Sequence, residues 1–280
     1  MNGTPGARSM NISFIGGGNM AQAIIGGLLK RGFDPAAIAV VEVLAEARER
    51  LARNGGVRCF GSAAEAAPYG ELVVMAVKPQ QMREAALQLA PHLRDELVLS
   101  VAAGTRLADL SRWLGGHSLL ARCMPNMPAL VGAGVSGAWC APQVSAAQRA
   151  QIAQVLESVG ELVWVDEERL LDPVTAVSGS GPAYVFYFIE ALERAGVELG
   201  LSPGQARRLA IATFSGAAKL AADSTETVAG LRARVTSRGG TTEAALASME
   251  ASAVGDAIVR AIRAANERAC ELGEQLGRER

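Results

Sequence analysis

At 280 residues, with 50% apolar and 20% charged side chains and a formal net charge of -1, the chain is long enough for two domains that each bury a core. That balance excludes a polybasic nucleic-acid surface and a disordered chain, and it favours a small neutral or singly charged ligand. The four cysteines (Cys59, Cys123, Cys140 and Cys270) form no CxxC pair and have no neighbouring histidine, so neither a metal site nor a secreted disulfide framework is expected; the natural compartment is the cytoplasm.

The leader MNGTPGARS, residues 1 to 9, lacks an apolar core and reads as a disordered tail or an early start codon. The next stretch is too broken by glycine and polar residues for a signal or membrane helix, so no membrane association is expected. From 11 to about 123, the apolar runs NISFI, IAVVEV, ELVVMAV, ELVLSVAA and SLLARCM alternate with helical patterns near 19 to 31, 44 to 54, 79 to 90 and 106 to 114. That alternation predicts a parallel sheet covered by helices. A strand near 134 to 139, a helix near 145 to 158 and a strand at 161 to 165 extend it. Beyond 166 only helical segments are expected, near 167 to 177, 182 to 199, 203 to 222, 225 to 235, 242 to 250 and 253 to 276. The expected fold is therefore α/β: a Rossmann-type parallel sheet over 10 to 165, then an all-α domain over 166 to 280. In the segment opening at Pro182, apolar side chains from Tyr184 to Leu192 cover nearly every face, which calls for burial against another subunit.

The motif FIGGGNMA places Gly16-x-Gly18-x-x-Ala21 directly after a strand and at the start of a helix. The first glycine permits the tight turn, the second lets backbone amides approach a pyrophosphate, and the small third residue lets helix pack on strand. Ile15, Gly16, Gly18, Asn19 and Met20 are thus candidate cofactor residues. Glu42, at the end of the next strand, stands where a carboxylate accepts hydrogen bonds from a ribose diol. Two further strand ends converge on the same crevice: Ala76, Val77, Lys78 and Pro79 in AVKPQ, and Ala102 and Ala103 in SVAAG. Taken alone, Lys78 reads equally well as a solvated surface lysine. Because the residue after Glu42 is Val43 and not arginine, NADH is expected to serve at least as well as NADPH, although Arg48 or Arg50 lies within reach of a 2'-phosphate.

Three further stretches, RCMPNMPA (122 to 129), AVSGSGPAYVF (176 to 186) and VTSRGGTTEAAL (235 to 246), need a common explanation. Together with FIGGGNMA and AVKPQ, they resemble the pyrroline-5-carboxylate reductase family, which makes the last reduction of proline biosynthesis. The likeness runs from about Met10 to the end. It departs from the family at Met127, where threonine is usual, at Arg238, where proline or lysine is common, and at Glu42-Val43, where a polar or basic residue often meets the 2'-phosphate.

The resemblance implies that 1-pyrroline-5-carboxylate is reduced to proline by hydride from NADH or NADPH, so the site must hold a carboxylate and orient a ring. In TSRGGTT, the amides of Gly239 and Gly240 and the positive end of the following helix are expected to take the anion, with Ser237 in the same loop. Thr241 is the expected N-cap, and the hydroxyl of Thr242 is expected to face the ring nitrogen as donor or relay. Ser178, Gly179, Ser180 and Gly181 are expected to line the substrate pocket, although this stretch also reads as a flexible lead into a helix. By the family pattern, Cys123 and Asn126 lie under the nicotinamide; on its own, Cys123 reads as buried core. The two histidines, His92 and His117, fall outside every motif. The resemblance further implies a homodimer that interleaves the helical domains, with rings of dimers as larger assemblies. Two rivals stand beside this reading. A β-hydroxyacid dehydrogenase uses a lysine in its helical domain, where this chain has only Lys219; an NAD(P)-sensing protein without turnover has no need of TSRGGTT.

Overall fold

The computed structural model describes residues 10 to 278, so the expectation for residues 1 to 9 lies outside the described residues. Along the chain run β1 (Ile12–Ile15), α1 (Asn19–Lys30), β2 (Ile38–Val41), α2 (Ala45–Gly55), β3 (Arg58–Phe60), α3 (Ala63–Ala66), β4 (Leu72–Met75), α4 (Pro79–Leu89), β5 (Leu97–Ser100), α5 (Leu107–Trp113) and β6 (Leu120–Pro125). β7 (Gly134–Cys140), α6 (Ala146–Leu156) and β8 (Gly160–Trp164) follow. The strands form one sheet in the order β3-β2-β1-β4-β5-β6-β7-β8. The order reverses direction between β1 and β4, the switch point at which such sheets bind ligands.

Side chains alternate across this sheet and both faces are buried. Ile12, Phe14, Leu72, Val74, Leu97 and Leu99 pack with Ile24 and Leu28 of α1 and with Ile152 and Val155 of α6. Their strand neighbours Ile15, Val73, Met75 and Val98 pack instead with Met82 and Leu89 of α4 and with Leu107, Leu110 and Trp113 of α5. The parallel sheet expected from the sequence holds through β6, but β7 then runs antiparallel to β6. The connection over 126 to 133 is too short for the crossover that a parallel neighbour requires.

The chain divides into two compact units, one made of the residues up to Gly179 and from Ala265 onward, the other of Ser180–Ala264. The stretch between the expected boundary at Asp166 and Gly179 groups with the first unit because it is tied to the sheet. A 3-10 turn (Glu168–Leu170), α7 (Leu171–Val174) and a π-helical turn (Thr175–Gly179) replace the single helix expected over 167 to 177. Glu168 accepts the amide of Leu107 at 2.8 Å, and Asp172 pairs with Arg106 at 2.6 Å. Gly137 of β7 leaves room for Val174, because a Cβ there would lie 2.6 Å from its side chain.

The second unit contains α8 (Gly181–Glu198), α9 (Pro203–Asp223), α10 (Val228–Arg234), α11 (Thr241–Ala251) and the first turns of α12 (Val254–Arg278). A capping box between Ser202 and Gln205 starts α9, and Phe188 of α8 meets Phe214 of α9 with ring centroids 6.2 Å apart. No residue of α8 is buried, and Phe186 and Tyr187 are 54% and 72% exposed. The end of α12 belongs to the first unit, where Gly273 lies against Arg106, and Leu276 against Gly104. No helix among the described residues is long and apolar enough to cross a membrane.

Candidate active site

The carboxyl ends of β1, β2, β4 and β5 bring together the residues expected to hold the cofactor. Gly16 follows β1 with φ +98°, and a Cβ there would lie 2.8 Å from the carbonyl oxygen of Ala76 and 2.9 Å from Val77. Only glycine satisfies both the left-handed turn and the close approach. Gly18 is the N-cap of α1 without a side-chain cap, and the space where its Cβ would stand is open. The first bond of α1 runs from Gln22 to Gly18, which leaves the amides of Asn19, Met20 and Ala21 without intrahelical partners. Open space, orphan amides and a positive helix end suit a pyrophosphate.

Glu42 stands beside this loop, at the end of β2. Its Oε2 accepts the amide of Gly17 at 3.0 Å and its Oε1 accepts the amide of Leu44 at 2.9 Å. The carboxylate is thereby fixed beside the glycine loop by two backbone amides. Arg48 donates through Nη1 to the carbonyls of Glu42 and Val43 at 2.7 and 2.9 Å and forms no ion pair with the Glu42 carboxylate. Lys78 is the exposed N-cap of α4 and Pro79 opens that helix; Ala102 is buried just after β5. Gly17 was not singled out in the sequence, yet its amide anchors Glu42 and a Cβ on it would lie 2.5 Å from Leu51. The uninterrupted run of three glycines was the available signal.

The end of β6 is arranged differently. Cys123 is 1% exposed within the core, and burial pushes its thiol far above the ordinary range. Its side chain therefore packs in the core beneath the sheet's ligand-facing edge. Asn126 is 8% exposed and both ends of its amide are engaged: Nδ2 donates to the carbonyl of Ser178 at 3.2 Å, and Oδ1 accepts from the amide of Val135 at 2.9 Å. The hydroxyl of Ser178 donates to the carbonyl of Val174 at 2.9 Å, and Gly179 lies against Met124. What Ser178 and Gly179 offer a substrate is thus mainly backbone. His117 holds the carbonyl of Glu96 at 2.8 Å, and His92 ends a 3-10 turn after α4; both precede strands, at the opposite edge from the glycine loop.

In the second unit, Ser180 and Gly181 lead into α8, with Pro182 in its first turn. The loop before α11 corrects two expectations. Its N-cap is Gly240, not Thr241, and no side chain caps the helix. Nor are the glycine amides free: that of Gly239, at φ +73°, donates to Glu243 Oε2 at 2.6 Å, and that of Gly240 donates to the carbonyl of Ser237 at 3.0 Å. A Cβ on Gly240 would lie 2.5 Å from Ser237 Oγ, which would have to rotate away, while the left-handed backbone of the turn falls on Gly239. The first bond of α11 runs from Ala244 to Gly240, leaving the amides of Thr241, Thr242 and Glu243 as the donors for an anion. The hydroxyls of Thr241 and Thr242 are not consumed in capping.

Comparison with known proteins meets this geometry at both ends of the chain. Residues 168 to 272 match the family described as pyrroline-5-carboxylate reductase dimerisation, and residues 11 to 104 match that described as NADP oxidoreductase coenzyme F420-dependent. The pyrroline-5-carboxylate reductase of Pseudomonas aeruginosa is 46% identical over 267 residues, covering 95% of this chain and 98% of that protein. The chain belongs to the pyrroline-5-carboxylate reductase family. The solved pyrroline-5-carboxylate reductase of Coxiella burnetii superposes with a TM-score of 0.90 at 37% identity, over 95% of this chain and 99% of that one. That of Plasmodium falciparum, solved with NADP bound, reaches 0.85 at 27% identity over 96% and 100%. The helical region of this chain is the family's dimerisation region, and its sheet is the family's nucleotide-binding fold.

Proposed function

We propose that this chain reduces 1-pyrroline-5-carboxylate to L-proline at the expense of NADH or NADPH. One observation carries the reading: an α/β cradle suited to a pyrophosphate and a glycine-opened helix suited to a carboxylate occur in one chain, with family relatives matching along nearly its whole length. When bound, the reduced nicotinamide supplies the hydride that adds to the imine carbon. The amides of Thr241, Thr242 and Glu243 hold the substrate carboxylate at the positive end of α11. The Thr242 hydroxyl faces the ring nitrogen: it donates to the lone pair of the neutral imine, and once the ring is protonated its oxygen accepts from the iminium N–H, whose proton stays as the nitrogen becomes the amine of proline. No histidine is needed, because a protonated imine is already electrophilic and proximity supplies the rest.

Glu42 decides the cofactor. With both oxygens held by backbone amides, it presents a fixed negative charge that welcomes a ribose diol and opposes a 2'-phosphate, so NADH serves at least as well as NADPH. The exposed apolar side chains of α8 and α9 support a homodimer built from the helical units, with rings of dimers as a further assembly, located in the cytoplasm. The test is oxidation of NADH and NADPH in parallel with 1-pyrroline-5-carboxylate, followed by the near-ultraviolet absorbance of the reduced nicotinamide. Tight NADH binding without turnover would favour a sensor instead.

A further inference from the structure

Alternate residues of β6 face the stretch between β8 and α8, and each of them touches it. Arg122, 2% exposed, places Nη1 3.2 Å from Glu168 and Nη2 3.8 Å from Asp172. Burial lowers the pKa of its guanidinium, and the charge of Glu168 opposes that shift, so the innermost tie is a buried ionic one. Met124 lies where a Cβ on Gly179 would come within 2.5 Å of its Cε. Asn126, in extended backbone just past the strand, completes the row by donating to the carbonyl of Ser178.

The position of Asn126 makes this last contact informative. It heads the 3-10 turn Met127–Val131, where an asparagine side chain ordinarily caps its own helix. Here it caps nothing locally, and its amide bridges the first turn of β7 and the π-helical turn instead. A π-helical turn carries one residue more than an α-helical turn and recurs at functional sites. The Thr175 and Ser178 hydroxyls in this one bond back to the carbonyls of Leu171 and Val174, so neither fixes the Ser178 carbonyl. Among side chains of this length, only asparagine donates to one partner while accepting from the other.

We infer that Asn126 is a positioning residue for the substrate side of the site: by holding the Ser178 carbonyl, it sets the backbone of Ser178 and Gly179 without contacting the cofactor. The inference rests on the proposed reading that these two residues line the substrate pocket. The test uses full-length Asn126→Ala and Asn126→Asp with three measurements: amide hydrogen exchange over 175 to 180 without ligand, the NADH dissociation constant by fluorescence, and KM and kcat for 1-pyrroline-5-carboxylate.

Loss of one buried hydrogen bond predicts that both variants raise exchange in that segment and KM about tenfold, with NADH affinity within about twofold of the parent. Asn126→Asp keeps the acceptor for Val135, loses the donor to Ser178 and sets a carboxylate oxygen against that carbonyl, which pushes it away. It therefore isolates the relevant arm and gives an answer even where the alanine variant does not fold. Parental exchange or parental KM in Asn126→Asp overturns the inference. So does a tenfold loss of NADH affinity with KM unchanged, which would make Asn126 a cofactor contact. If the parent itself fails to turn over, the functional reading falls, while the exchange measurement still reports on the Ser178 tie.

Discussion

Two helices in this chain, α1 and α11, open in the same way and are secured by different means. Each begins at a glycine N-cap without a side-chain cap, and each is preceded by a glycine amide that donates to a carboxylate. At α1 the carboxylate is Glu42, at the end of a neighbouring strand; at α11 it is Glu243, on the helix itself. The first turn is fixed by the sheet and is rigid whenever the first unit is folded. The second is held by a residue four positions further along its own helix, a local tie that needs no distant element.

This contrast breaks most sharply at Gly16. Gly16→Val places a side chain in a left-handed turn and against Ala76, so NADH binding should weaken about 100-fold or more, read by fluorescence titration. Thr242→Ala should lower kcat/KM about 100-fold with NADH affinity unchanged, and full retained efficiency would remove threonine from the chemistry. Glu42→Gln keeps an acceptor for Gly17 but removes the charge, so the NADPH to NADH ratio of dissociation constants should fall about tenfold while NADH still binds. Glu42→Ser also loses the clamp and should weaken both cofactors.

At α11, Glu243→Ala should raise KM for the imine a few-fold and Glu243→Gln should largely restore it, because a neutral amide oxygen still accepts from Gly239. The smallest effect concerns the rigid side alone. Burial raises the Cys123 thiol pKa, and that of Cys140 to about 11, so both keep their protons in the folded chain when the unfolded chain ionises above about pH 8.5. Their contribution is therefore fully present below that pH and fades as pH climbs toward the folded values. Urea midpoints should fall between about pH 8 and about pH 10, and Cys123 should resist alkylation until the chain unfolds.

The rigid half was the more legible in sequence, because its signals are periodic and local. Both-face burial of Ile12 to Ile15 and Leu72 to Met75 follows from unbroken apolar runs, and the glycine turn from its spacing. β3 and α3 escaped because Arg58 to Phe60 is short and Arg58 is exposed, so no apolar run marks it. The reversal at β7 was readable in principle from its short connection; strand composition alone carries no direction. The ionic ties of Glu168 and Asp172 were not legible, because their partners lie far away in the chain. The same holds for Asn126 and Ser178, 52 residues apart. At α11 the residue types pointed to an anion site, but which amides remain free depends on where Glu243 folds back, and spacing does not encode that.

The last described turns of α12 pack against the segment that follows β5. Gly273 and Gly277 are cut close to Arg106 and Asp109, Leu276 covers Gly104, and Arg112 donates to the Gly277 carbonyl at 3.2 Å. The stretch after β5 is therefore backed by a helix that the chain reaches only after the whole second unit. A bulky residue at position 273 would push on Arg106 and loosen its pairing with Asp172, so a change in the last helix would be felt in the stretch that follows β8.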